Sequence, residues 1–346
     1  MKTVLHILNT NSYSGAENVA ITLIRAMNRL YPGYRLIYVS PDGLISERLA
    51  SEGVAFEPVS ALSVREVRRV VKKYRPDVIH AHDFTASVVS AISTLGIPII
   101  SHIHNNVPWF GRLCVRSLAY GICSLRCRKI LCVSPSVKDE FIFSRLISKK
   151  AEVIGNPIDT AKIRRAADEA EIKDGYDVVF LGRLTDAKNP ELFLEVLGDL
   201  AKKMSLSAVM IGEGEKRSEL EKLIADKNLS DTVSLKGFLD NPYGILASSR
   251  LLLMTSSWEG YGLVAVEALA LGKPVVALPV GGIPTIITGG EGRLAADKDG
   301  LVSAVEALLT NPDEYGKASQ LAKARAEEID NLSSYAEKIN RYYSGE

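Results

Sequence analysis

Short apolar runs of three to seven residues, rich in Val and Ile, recur along the whole 346-residue chain. They include Val4–Leu8, Leu36–Val39, Val78–Ala81, Ile97–Ile103 and Ile130–Val133, then Val178–Leu181, Ala208–Ile211, Val233–Leu235, Leu251–Met254 and Val275–Leu278. Val- and Ile-rich runs of that length predict strands buried on both faces of a parallel sheet. Between the runs lie stretches long enough for crossover helices, such as Ala16–Leu30 and Pro190–Lys203. Alternation of this kind predicts a doubly wound α/β fold. About seven strand candidates precede Asn156 and about six follow Gly175, and the charged stretch from Pro157 to Asp174 has none, so it is read as the linker. The expected domains are 1–160, 161–330 and a C-terminal helix over 331–346 that packs back on the first domain. Two facing Rossmann-like domains with a central cleft would hold ligands beyond the carboxyl ends of their strands.

Lys and Arg number 42 and Asp and Glu 41, a balance that argues against nucleic acid as a partner. The balance hides an asymmetry. Residues 1–160 hold 20 basic and 12 acidic side chains, and residues 161–346 hold 22 and 29. Opposite charge on two halves suggests different partners. Cys114, Cys123, Cys127 and Cys132 form no CxxC pair and read as free thiols in a reducing cytoplasm. Val4–Leu8 is too short for a signal-peptide core, and no apolar run reaches 18 residues.

The chemistry-bearing motifs sit after strands. Ser14-Gly15-Ala16-Glu17 opens a helix, where a glycine lets backbone amides approach an anion. Gly182-Arg183-Leu184 and Lys188-Asn189-Pro190 set two cations on one strand–helix loop, an arrangement suited to a diphosphate. Gly212-Glu213-Gly214 is a strand-end turn lacking the third glycine of a dinucleotide fingerprint. The richest string is EGYGLVAVEALALGKPVV, Glu259 to Val276. Glu259 lies in a loop with Gly260 and Gly262, and Glu267 lies one turn into a helix ending at Gly272. Loop amides suit a phosphate, and carboxylates accept hydrogen bonds from sugar hydroxyls. Gly281-Gly282-Ile283-Pro284 adds another glycine loop.

This string resembles the Glu-x7-Glu hallmark of the retaining, GT-B-fold glycosyltransferases of family 4, the group 1 glycosyltransferases. SGAE at 14–17, GNPID at 155–159, GRLTDAK at 182–188, GEG at 212–214 and GGIP at 281–284 are similar to further family elements, although Pro157 stands where glycine is commoner. The resemblance implies that Arg183 and Lys188 bind the donor diphosphate with the Leu263 and Val264 amides, Gly212 and Gly262. It implies that Glu267 holds ribose hydroxyls, Glu259 holds the transferred sugar, and Gly15 lies beside the diphosphate. His104 aligns with a family histidine near that sugar, and His102 is expected on the opposite side of the strand. His82 and Asn105 are candidate acceptor-site residues. The leaving diphosphate would be met by cations and helix amides, so no metal and no cofactor is expected. Asp297-Lys298-Asp299 matches a metal motif of another glycosyltransferase fold, but its place before the Leu301 helix reads as a cap.

Val64–Arg75 and Trp109–Lys129 combine basic with apolar side chains, Trp109, Phe110 and Tyr120 among them, as an anionic membrane surface would require. The expected enzyme moves a sugar, most readily from a UDP-sugar, to a lipid-linked glycan in cell-surface polysaccharide synthesis. It would work in the cytoplasm, on the inner face of the membrane. The alternatives are a nucleotide-sugar 2-epimerase, which should lack the Glu259–Val276 string, and a non-catalytic subunit of glycan assembly. No full GxGxxG supports a dehydrogenase.

Overall fold

The Val- and Ile-rich runs become two parallel sheets, with short edge strands added, two to the first sheet and one to the second, where the sequence pattern is weakest. The structure, a computed structural model, describes residues 1–170 and 175–345. Two units emerge, Met1–Pro157 with Asn331–Glu346, and Ile158–Asp330. The seven strands of the first are β1 Lys2–Ile7, β2 Tyr34–Pro41, β3 Phe56–Val59, β4 Val78–His82, β5 Ile99–Ile103, β6 Cys127–Cys132 and β7 Ala151–Val153. Their spatial order is 3-2-1-4-5-6-7, all parallel. The second unit has β8 Val178–Leu181, β9 Ala208–Ile211, β10 Val233–Gly237, β11 Leu251–Met254, β12 Val275–Ala277 and β13 Gly292–Leu294, in the order 10-9-8-11-12-13.

Each sheet is covered by amphipathic helices. In the first unit, helix Gly15–Leu30 buries Ala20, Leu23, Ile24 and Met27 against β1 and β2. Helix Leu332–Ser344 joins the same core through Tyr335, Ala336, Ile339 and Tyr343. In the second unit, Phe180, Leu197, Met210 and Leu253 fill one face of the sheet, and Val209, Leu252, Val266 and Leu269 the other. The expected linker differs from what is found. Thr160–Asp168 is a helix of the second unit, capped by the Asp159 carboxylate on the Lys162 N–H at 2.8 Å, and the units divide at Pro157. Residues 171–174 of that stretch lie outside the described residues. Among the described residues no helix is long and apolar enough to cross a membrane.

Segment 109–129 is not one amphipathic helix. It is a turn, the helix Val115–Ser124 and the start of β6. Its aromatic residues are buried or, for Trp109, half-buried. Phe110 and Tyr120 are buried with Phe84 and Phe141, and Trp109 packs edge-on to Phe84 at 4.9 Å. The exposed apolar groups are aliphatic, namely Leu113, Val115, Leu118, Ile122 and Leu125. On helix Val64–Tyr74, Arg69 pairs with Glu57 and Glu66, and Lys73 pairs with Glu57. Burial would raise the Glu57 pKa, but hydrogen bonds from Lys73, Tyr74 and Arg69 outweigh it and hold it at about 2.

Candidate active site

Strand order reverses between β8 and β11 in the second unit, which opens a crevice at their carboxyl ends. The loop after β8 carries Arg183 and Lys188, and the loop after β11 carries Glu259. Ser257 N–H donates to the Ala187 carbonyl at 2.9 Å. The Thr255 hydroxyl donates to the carbonyls of Lys188 and Asn189, at 3.1 and 2.8 Å. Tied together this way, the loops bring Lys188 Nζ onto Glu259 Oε2 as an ion pair, and the Ser256 hydroxyl donates to the same oxygen at 3.2 Å. Arg183 is exposed and has no ion-pair partner among the described residues, so one cation of the crevice is open to an anion.

Glycines make these contacts possible. A Cβ on Gly212 would stand 1.9 Å from the Gly182 carbonyl oxygen, and one on Gly281 would stand 1.6 Å from that of Glu259. The turn after β9 and the 281–282 loop therefore seat directly on the two site loops. Gly262 caps helix Leu263–Ala270 at φ 104°, leaving the first-turn amides of Leu263 and Val264 at a helix N-terminus. Glu267 lies half-buried one turn along. Burial pushes its carboxyl up to about 7, opposed by the Tyr243 hydroxyl, which donates to Oε1 at 3.2 Å, and by the charge of Lys188. Tyr243, Thr255 and Ser256 were not singled out from sequence, since nothing local marks a tyrosine 24 residues from the carboxylate it touches.

In the first unit the reversal falls between β1 and β4. Gly15 is the exposed first residue of helix Gly15–Leu30, and the Glu17 carboxylate folds back onto the hydroxyls of Ser14 and Thr10. His82 ends β4, and His104 follows β5 with Asn105 half-buried beside it. His104 N–H donates to Asp83 Oδ1 at 2.8 Å. Asp83 itself stands at φ 67°, a conformation that strains a non-glycine residue. Burial raises its carboxyl to about 7, with the His104 N–H working against the rise. His102 does not point away from His104. Residues two apart on a strand share a face, and the two rings lie 4.1 Å apart. His6, His80 and His82, and again His82, His102 and His104, bring ring nitrogens within 4.8 Å of one another.

Asp297 accepts from the Gly300 N–H at 2.9 Å, as a helix cap does. The four cysteines are free, with Cys127 and Cys132 buried and their thiols pushed up to about 12 by that burial.

Comparison with known proteins follows the same division. The sequence profile of Glycosyltransferase Family 4 matches residues 13–162. That of Glycosyl transferases group 1 matches residues 162–325. The chain belongs to this glycosyltransferase family. An uncharacterized glycosyltransferase of Haemophilus influenzae is 24% identical over 344 residues, covering 93% of this chain and 94% of its own. The N-acetylgalactosamine-N,N'-diacetylbacillosaminyl-diphospho-undecaprenol 4-alpha-N-acetylgalactosaminyltransferase of Campylobacter jejuni is 32% identical over 189 residues, 53% of this chain and 51% of its own. The match to an uncharacterized glycosyltransferase of Methanocaldococcus jannaschii likewise spans only 58% of that protein. Anabaena HepE, solved in complex with UDP-glucose, aligns over 100% of both chains with a TM-score of 0.86 at 20% identity, a likeness that shows the fold. Both units of this glycosyltransferase are thus the α/β domains of the GT-B architecture.

Proposed function

We propose that the protein transfers a sugar from a nucleotide-sugar donor, a UDP-sugar in the first instance, to a lipid-linked glycan acceptor with retention of anomeric configuration. The observation that carries this reading is the cluster at the ends of β8 and β11, in which Arg183 is open, Lys188 pairs with Glu259, and Glu267 lies one helical turn away. In this reading the donor diphosphate takes Arg183, Lys188 and the amides of Leu263 and Val264. Glu267 accepts from the ribose hydroxyls, and Glu259 from hydroxyls of the transferred sugar, while Gly212 and Gly262 let the backbone approach. The bond between the anomeric carbon and the phosphate oxygen breaks, and the acceptor oxygen attacks the same face. The acceptor proton passes to the leaving phosphate, whose charge the cations and helix amides stabilise without a metal. Gly15 and His104 keep the roles carried by the resemblance, and His82 and Asn105 remain the candidate acceptor-site residues.

The UDP and UDP-glucose complexes of HepE support the choice of donor, and the undecaprenol-linked substrate in the name of the Campylobacter enzyme supports the acceptor class. The exposed aliphatic groups from Leu113 to Leu125, interleaved with exposed Arg112, Arg116 and Arg126, support attachment to the anionic inner face of a membrane. Thermal shift against a panel of UDP, GDP, ADP and dTDP sugars tests the donor assignment, with the largest stabilisation expected from a UDP-sugar. If no nucleotide-sugar stabilises the protein, the reading fails. Activity should persist in EDTA, and strict Mn²⁺ dependence would contradict the metal-free chemistry. Liposome sedimentation should depend on anionic lipid.

A further inference from the structure

The chain has five histidines, and all five lie in one place on β1, β4 and β5, where they were not brought together by the sequence pattern. His6, His80, His82 and His102 are 0–2% exposed, and His104 is 8% exposed. Their ring nitrogens form a single file. His104 Nε2 meets His82 Nδ1 at 2.9 Å. His82 Nε2 meets His6 Nδ1 at 3.1 Å. His6 Nε2 meets the Tyr343 hydroxyl at 3.1 Å, and that hydroxyl meets His80 Nδ1 at 2.7 Å. His80 Nε2 meets His102 Nδ1 at 3.2 Å, and His102 Nε2 reaches the Tyr335 hydroxyl at 3.4 Å. Among the described residues, His104 Nδ1 is buried without a hydrogen-bond partner.

Every link between two histidines joins an Nε2 to an Nδ1, directly or through Tyr343, all run in the same sense, and the file ends on the Tyr335 hydroxyl. Burial keeps the rings neutral. It lowers His6 and His104 to about 3 and the other three well below the usual histidine range, with neighbouring imidazoles adding to the effect on those three. A neutral imidazole has one N–H and one lone pair. Each ring inside the file must therefore donate at one nitrogen and accept at the other, and reversing one ring reverses them all. Two arrangements satisfy the file. In one, all five rings carry the proton on Nε2 and His104 Nδ1 is a lone pair. In the other, all five carry it on Nδ1 and His104 is left with an unpaired N–H. An unpaired buried N–H is the rarer and costlier defect, so the first arrangement is favoured.

We propose that His6, His80, His82, His102, Tyr343 and Tyr335 are positioning residues that hold His104 as the Nε2–H tautomer, so that its Nδ1 presents a hydrogen-bond acceptor to a hydroxyl of the bound sugar. The sugar assignment rests on the function proposed above, whereas the tautomer file does not. The neutral acceptor so formed accepts a hydrogen bond from a hydroxyl, as a carboxylate would, without carrying a negative charge of its own. The file also gives the C-terminal helix a part in the site, since Tyr343 is its central link.

The test is the tautomeric state of the five rings in the full-length protein labelled with ¹⁵N-histidine, read by long-range ¹H–¹⁵N correlation at pH 7.5. Five neutral Nε2–H rings are expected. Mixed tautomers, a protonated ring, or shifts that change when tightly bound metal is stripped would overturn the proposal. In Tyr343→Phe the file is cut. His80 and His102 should keep Nε2–H, because His80 Nδ1 is then a bare lone pair. His104, His82 and His6 should become a mixture, since each end of that segment would strand one N–H. With the competent tautomer reduced to about half, the KM for the donor should rise about twofold and kcat should hold. An unchanged Nε2–H pattern for His104 in this variant would also overturn the proposal. Because the wild-type pattern is read without any variant, poor folding of Tyr343→Phe leaves the test intact. A protein with five matched tautomers but no transferase activity would preserve the file and sink the functional reading instead.

Discussion

The two sheets share one strand order through their first six strands, yet they fill their central strands with opposite chemistry. On β8, β11 and β12 the face toward the core carries Val178, Phe180, Leu251, Leu253 and Val276, and the polar groups are confined to the loops beyond. On β1, β4 and β5 the corresponding positions alternate apolar residues with His6, His80, His82 and His102. A polar site mounted on loops leaves the hydrophobic core of the second unit intact. A polar file threaded through the first unit makes that core depend on every hydrogen bond being met, because an unmatched buried nitrogen costs about 1–3 kcal/mol. The contrast separates a unit whose site can vary from a unit whose site is part of its interior.

The comparison can be broken most directly at the loops of the second unit. Lys188→Ala should lower transfer by about 100-fold or more, because it removes a preorganised cation at the developing diphosphate charge. Glu267→Ala should act chiefly on donor binding. If both variants keep wild-type transfer, the β8–β11 crevice is not the donor site.

Acid should separate the units next. His6 and His104 sit at about 3 in the folded chain, against about 6.5 when unfolded. Between those values the unfolded chain binds more protons, so the stability of the first unit is full above pH 6.5 and falls as the pH drops, by up to about 1.4 kcal/mol per pH unit for each histidine. Asp83, raised to about 7, acts in the other direction, since its native penalty is relieved on protonation, but it is one carboxyl against five imidazoles. Glu267, also raised to about 7, gives the second unit the same relief without that opposition. The two tryptophans divide between the units, Trp109 in the first and Trp258 in the second. Single-tryptophan variants should show fluorescence from Trp109 changing at higher pH than that from Trp258. Coincident transitions would mean that the histidine file does not set the acid limit.

Tyr243→Phe is a finer probe. The Tyr243 hydroxyl works against the raised pKa of Glu267, so its loss should move the midpoint of donor binding upward from about 7. Donor affinity near neutral pH should weaken about threefold to tenfold. The smallest effect is expected at Asp297→Ala, which should cost about 1 kcal/mol of stability through a lost cap and leave transfer unchanged. A loss of activity restored by Mn²⁺ would return the Asp297–Asp299 segment to the site.

Legibility followed the range of the interactions. Central strands were readable because burial on both faces leaves a run dominated by apolar residues, as in Leu36–Val39 or Leu251–Met254. Three of the four edge strands were not, because β3 needs only Phe56 and Val59 for its core contacts and admits Glu57 and Pro58, while β7 and β13 are three residues long. The loops holding Arg183, Lys188, Glu259 and Glu267 were legible as motifs, since their spacing is local. The histidine file was not, because it depends on the register of three strands and on tyrosines 233, 263 and 337 residues from the rings they meet. His102 was misplaced for a simpler reason, a strand period applied with the wrong parity.

The Lys2 ammonium reaches the carbonyls of Tyr343 and Ser344, and Tyr34 donates to Asn340 across a separation of 306 residues. The first unit thus combines residues 1–157 with segment 331–346, and the whole second unit is translated between them. On the ribosome, the second unit should be able to fold while β1, β4 and β5 still lack their last partner helix, leaving buried-type imidazoles wet until residue 343 emerges. Synthesis order therefore imposes a folding order, with the unit that starts first finishing last.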